Sequence, residues 1–178
     1  MNHTKLKKLI LTALLAAVAV ACSPLSIPVG ASKCFPAQHF VNVIAGVFLG
    51  PWYAVAAAFI SSLIRNLMGT GTLLAFPGSI IGACLSGLMY QWLKKLPFAY
   101  IGELFGTGVL GGIGAFFVAS LIMGKEAAFF AYVPAFLLSS LGGTLIAALL
   151  IPALKAAGAD RFFREKKETV TDALPHTE

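Results

Sequence analysis

The sequence predicts an all-α integral membrane protein, a six-helix transmembrane bundle with both termini in the cytoplasm. Three observations carry that expectation. First, the 178 residues are 58% hydrophobic and 11% charged, with a mean hydropathy of +0.88, whereas roughly a quarter of the residues in soluble domains are charged. Second, the apolar residues gather in six stretches, at about 9–23, 37–50, 51–65, 73–93, 99–123 and 129–151. Lipid offers a backbone no partner except its own helix or a closed barrel, and continuous runs without period-2 alternation exclude the barrel. Third, with six crossings all thirteen Lys and Arg except Lys33, Arg65 and Lys125 fall on one side, which the positive-inside bias makes cytoplasmic.

The first stretch follows Lys5, Lys7 and Lys8 and ends in Ala-Val-Ala-Cys at 19–22. This resembles a lipoprotein signal that would leave Cys22 lipidated. Ala19 fits the bulky position of such a box poorly, and removing the segment would leave five crossings with inverted charge, so the first helix is retained. Ala13, Ala17 and Ala21, with neighbouring Ala16, form a small-residue ridge that another helix or subunit can approach closely. The second and third stretches meet at Gly50-Pro51. They are read as two helices because a single crossing would place Lys94-Lys95 and the basic tail opposite Lys5–Lys8; proline restricts the residue before it to turn or extended geometry. The pairs Gly46/Gly50, Gly78/Gly82, Gly102/Gly106 and Gly108/Gly112 have the spacing of close helix packing in lipid. Residues 1–158 make one transmembrane domain, and 159–178 a loose charged cytoplasmic tail.

Composition also bounds function. The net charge of +6 is expected to meet lipid headgroups rather than nucleic acid. No H-E-x-x-H, G-x-S-x-G or G-x-x-x-x-G-K-[ST] occurs, and paired intramembrane carboxylates are missing, so neither an enzyme nor a nucleotide site of those kinds is expected. Ser139-Ser140-Leu141-Gly142-Gly143 faintly resembles an ABC ATPase signature but lies in an apolar helix and is assigned to packing. Cys22, Cys34 and Cys84 lack metal spacing, so no metal or cofactor is expected; a Cys22–Cys34 bridge and simple apolar filling both remain open.

The remaining polar groups gather at the outer side. The loop Ser23–Ala37 carries Lys33 and Phe35 and leads into Gln38, His39 and Asn42 on the second helix, where three- and four-residue spacing points all three toward one cavity. A second outer loop carries Arg65, Asn66 and Thr70, followed by Phe76. Polar groups inside a membrane are costly unless they pair or line a pocket, so these residues suggest a small-molecule site open to the outside. Blander roles stand beside that one: loop anchoring for Lys33 and Arg65, an interhelical hydrogen bond for His39, a helix cap for Asn66. Trp52 belongs to an interfacial belt at the inner turn. Glu103 is expected to pair with Lys94 or Lys95, or to touch a partner.

The stretches Ser26–His39, Asn42, Leu49–Ala54 and Arg65–Ser79 resemble the ThiW family, as do Gly102-Glu103 with Gly106–Gly108, Gly124–Glu126 and Ser139–Gly143. These are the substrate-binding S components of energy-coupling factor (ECF) transporters assigned to the thiazole precursor of thiamin. The resemblance spans nearly all of residues 8–152. It implies a non-enzymatic six-helix subunit of the cell membrane that captures hydroxyethylthiazole outside and docks on a transmembrane coupling subunit carrying two ABC ATPases. It also implies that the Ala13/Ala17/Ala21 ridge is the docking face and that the subunit tips in the membrane to release its load. On this reading Phe35 and Phe76 stack on the ring while Gln38, His39, Asn42 and Asn66 recognise its polar atoms. A neutral thiazole gives Lys33 and Arg65 no charge to meet: either they rim the mouth or hydrogen-bond the ligand, or the ligand is an anionic thiazole derivative. The alternatives are another precursor such as hydroxymethylpyrimidine or thiamin, and a structural subunit of a membrane complex.

Overall fold

The computed structural model describes residues 3–29 and 32–159; the tail expected at 159–178 lies, apart from Ala159, outside them. In chain order the elements are α1 (His3–Ala21), a short hairpin of β1 (Ile27–Val29) and β2 (Ser32–Cys34), α2 (Pro36–Phe48), α3 (Pro51–Leu67), α4 (Ala75–Leu93), α5 (Leu96–Ile122) and α6 (Val133–Ala156). Proline lies in the first turn of α2, α3, α5 and α6, where its fixed φ suits the helix and its missing N–H costs nothing. Between α2 and α3, Gly50 has φ 97. This left-handed geometry is one that glycine adopts freely, and the two stretches form separate helices on either side of it.

The ends of several helices differ from the sequence expectation. α5 starts three residues earlier because Pro97 opens a helix rather than interrupting one, and α6 runs on to Ala156 through Pro152. The first outer loop is partly ordered as an antiparallel ladder, with Ile27 opposite Cys34 and Pro28 opposite Lys33. Three-residue strands are too short to announce themselves by alternation. The Cys22–Cys34 bridge is not made, since all three cysteines are free. Cys34 instead donates to the Ala135 carbonyl at 3.2 Å, and burial pushes its thiol pKa up.

α2 is the central element, buried from Val41 through Phe48, and it packs on α3, α4 and α6. Around it, the surface is apolar: Leu121, Leu149 and Leu145 are among many large exposed hydrophobic side chains. α5 and α6 are each long and apolar enough to cross a membrane. Charged groups collect at the two ends of the bundle. Lys8 lies over the Tyr53 ring, Lys155 donates to the Tyr90 hydroxyl at 2.7 Å, and Gly87 of α4 packs on Pro51. Lys8, the Gly50-Pro51 turn, the Lys94-Lys95 connection and Lys155 therefore share one end, and exposed Trp52 and Trp92 flank it. Lys33, Arg65 and Lys125 occupy the other.

α4 and α5 approach along glycines. A Cβ on Gly106 would stand 2.9 Å from the Gly82 Cα, and one on Gly82 would collide with Thr107 and the Glu103 carboxylate. Over Leu104–Gly111, α5 widens into π-helical geometry, a form that recurs at functional positions in helices. Gly82→Ala is expected to destabilise the protein by about 1–3 kcal/mol, the cost of overpacking a tight interior, read as a lowered unfolding midpoint of the detergent-purified protein.

Candidate functional site

Helical register on α2 places Gln38, His39 and Asn42 on the side facing α3, α4 and α5, and all three are buried. Beneath them lies Glu103, with no exposed surface. Its Oε1 meets His39 Nδ1 at 2.8 Å and accepts from Thr107 Oγ1 at 2.7 Å and Asn42 Nδ2 at 3.2 Å. The expected pairing of Glu103 with Lys94 or Lys95 is thus corrected. Those lysines are exposed at the connection between α4 and α5, while Glu103 turns into the bundle, where an imidazole and two polar neighbours offset its desolvation.

A polar rail runs from Glu103 toward the end that carries Lys33. Asn42 also donates to the Ser79 carbonyl and accepts from Gln38 Nε2 at 3.3 Å. Gln38 Nε2 donates to Ser61 Oγ at 2.9 Å, and Gln38 Oε1 accepts from Arg65 Nη1 at 3.2 Å. Arg65 is only 1% exposed. Its guanidinium carbon lies 3.8 Å from the centroid of the Phe35 ring, a cation–π contact that gains strength where water is excluded. Its Nε and Nη2 have no hydrogen-bond partner.

Above the rail a narrow cavity of about 30 Å³ is lined by Lys33, Phe35, Gln38, His39 and Arg65 together with Ser32, Thr72, Leu74, Ala75, Ser79, Phe136 and Ser139. It shares Ser32, Lys33, Phe35, Thr72 and Leu74 with a wider outer cleft of about 390 Å³ that adds Pro28, Gly69, Thr70, Gly71 and Lys125. Phe35 is fixed by its backbone N–H, which donates to Ser139 Oγ at 2.7 Å. The arrangement pairs aromatic walls with a few convergent polar groups, the usual character of a small-molecule site.

The cavity therefore gathers five of the residues expected from sequence, and Thr70 lines the outer cleft. Asn42 lies one layer deeper. Asn66 caps the end of α3, donating to the Ser62 and Thr72 carbonyls at 3.0 and 2.9 Å, and Phe76 packs on Phe59 with ring centroids 5.7 Å apart; neither lines the cavity. Sequence reasoning missed Ser79, Phe136 and Ser139. Ser139 lies in the segment assigned to packing, which also packs: Gly143 sits against Pro36 and His39. Ser79 and Ser139 lie at the edges of stretches that carry the family resemblance, and Phe136 offered no signal beyond an aromatic on an apolar helix.

The family model described as "Thiamine-precursor transporter protein (ThiW)" matches residues 9–157. A solved structure of ThiT from Listeria monocytogenes is similar in fold at 20% identity, with a TM-score of 0.56, covering 89% of this chain and 98% of that one. No curated protein matches.

Glu103→Ala removes one partner of a buried pair and is expected to cost about 3–5 kcal/mol of stability. Glu103→Gln, which keeps an acceptor for Thr107 and Asn42, is expected to cost less. Thermal unfolding of the two purified variants in detergent checks the order.

Proposed function

The chain belongs to the ThiW family, and on that premise we propose that it is the S component of an ECF importer that captures the thiazole precursor of thiamin. Membership of a transporter family makes it a membrane transport protein and not an enzyme. The observation that carries the reading is the cavity at the Lys33–Arg65 end: enclosed by Phe35 and Phe136, floored by Gln38 and His39, and continuous with an open outer cleft. Phe35 and Phe136 flank a flat heteroaromatic ring, while Gln38, His39, Ser79 and Ser139 meet its polar atoms. Asn42 positions Gln38 and Glu103 from below, and Lys33 and Thr70 stand at the entrance.

In this reading all six helices cross the bilayer. The end bearing Lys8, Lys94, Lys95 and Lys155 faces the cytoplasm, as do both termini, by the positive-inside bias. The cavity then opens outward, where a scarce nutrient is met. The family resemblance implies that the chain works with a transmembrane coupling subunit and two ABC ATPases, in keeping with its lack of a P-loop. Ala13, Ala17 and Ala21 form the docking face for the coupling subunit. All three are exposed, while Thr12, Ala16 and Ala19 on the other side of α1 are buried, and an exposed ridge of small side chains lets a partner helix approach closely in lipid.

Calorimetry of the full-length protein in detergent with hydroxyethylthiazole, thiamin and hydroxymethylpyrimidine tests the substrate. Selective thiazole binding is expected; binding of another precursor in its place overturns the thiazole assignment. Gln38→Ala is expected to weaken thiazole binding by about 1–3 kcal/mol, the penalty for leaving a buried polar partner unmade. Unchanged affinity would remove Gln38 from the site. Ala17→Trp is expected to abolish co-purification with the coupling subunit while thiazole binding persists.

A further inference from the structure

Among the described residues Arg65 is a buried cation without a counter-ion. Among the described residues, the buried charged side chains are Arg65 and Glu103, and Glu103 is engaged by His39, Asn42 and Thr107. Among the described residues no acidic side chain lines the cavity or the outer cleft, whereas Lys33 lines both and Lys125 the cleft. Of the seven acids in the sequence, Glu103 and Glu126 belong to the described residues, and the other five, at 160–178, lie outside them. A cation at 1% exposure is costly to keep unless something compensates it, and the Phe35 face with a single bond to Gln38 compensates it only in part.

The geometry of the orphan groups is specific. Nε and Nη2, the two nitrogens without a partner, occupy one edge of the guanidinium and offer two parallel N–H donors. That fork matches the paired oxygens of a carboxylate or phosphate, which it binds bidentately. Stacking on Phe35 holds the plane of the fork, and Nη1 is tied to Gln38; both free nitrogens are themselves buried, so a ligand oxygen reaches them only when a cavity-lining side chain moves aside.

We propose that the transported ligand is a small heteroaromatic carrying an anionic group, a carboxylate or a phosphate monoester, held by Nε and Nη2 of Arg65. Lys33 and Lys125 at the entrance raise the local concentration of such an anion by their field. The inference rests on the capture reading above and narrows its substrate class from a neutral alcohol to an anion.

The test is calorimetric titration of the full-length protein with three thiazole probes, hydroxyethylthiazole, its phosphate monoester and methylthiazole carboxylate, and with hydroxymethylpyrimidine phosphate as a fourth compound. At least one anionic probe is expected to bind about tenfold or more tighter than the neutral alcohol, the scale of hydrogen bonds to a charged group. The tighter of the two anions identifies the group. In Arg65→Gln the ratio of anionic to neutral affinity is expected to fall to near unity. A neutral alcohol that matches or exceeds both anions overturns the proposal and leaves the thiazole reading standing; this comparison needs only the unaltered protein. If no thiazole binds but hydroxymethylpyrimidine phosphate binds in an Arg65-dependent way, the anion assignment holds and the thiazole reading falls. If none of the four compounds binds, both are overturned.

Discussion

The buried carboxylate of Glu103 constrains the rest of the bundle. A membrane interior offers no water to a carboxylate, so the chain must bring donors to it or lose the fold. Three features of the architecture follow from that need. Gly82 on α4 has no side chain, and this leaves room for the carboxylate and for Thr107. α5 presents Glu103 and Thr107 together, and Thr107 Oγ1 is also within 3.0 Å of the Gly78 carbonyl, linking α5 to α4. α2 turns the face with His39 and Asn42 inward, although this puts polar side chains at the centre of an apolar protein. With α2 fixed in rotation, Gln38 stands over Asn42, and Arg65 reaches Gln38 from α3. The floor of the cavity is thus the upper end of a network whose lower end is the carboxylate.

On the proposed function, this linkage joins stability to recognition. His39 faces the cavity and holds Glu103, so a group placed against its imidazole acts on the contact between α2 and α5. Gln38 belongs both to the floor of the site and to the anchoring of Arg65. Such shared residues position one another before a ligand arrives, which lowers the ordering cost of binding. The outer hairpin contributes to the same end: the Phe35 backbone is tied to Ser139 of α6, and Cys34 to Ala135, so the wall that carries Lys33 and Phe35 is attached to the bundle.

Much of this was legible in the sequence because membranes restrict the choices. Apolar runs had to be helices, Gly50-Pro51 had to be a turn once the lysines were counted, and polar residues at three- and four-residue spacing on α2 had to share a face. Gln38 and His39 follow from that spacing, whereas Lys33, Phe35 and Arg65 stood out as the polar and aromatic residues of the two outer loops; all five line the cavity. What escaped depended on pairing between distant elements. Spacing along α5 shows that Glu103 and Thr107 share a face, but not that α2 supplies the partner; nearby Lys94 and Lys95 were the local alternative and proved to be at the wrong end. Ser79, Phe136 and Ser139 reach the cavity only through the crossing of α4 and α6 beside α2, and their residue types suit ordinary packing equally well. Asn66 and Phe76 show the converse. Their types suit a ligand, but local geometry spends one on a cap and the other on Phe59.

On the proposed function, a transported ligand is held in the cavity beneath the hairpin. A structure of the full-length protein determined with a bound thiazole ligand would locate it. Ligand density is expected between Phe35 and Phe136, above Gln38 and His39 and beside Arg65, with the Glu103 network intact below. Density elsewhere, on the lipid-facing surface or at the end that carries Lys94 and Lys155, would contradict it.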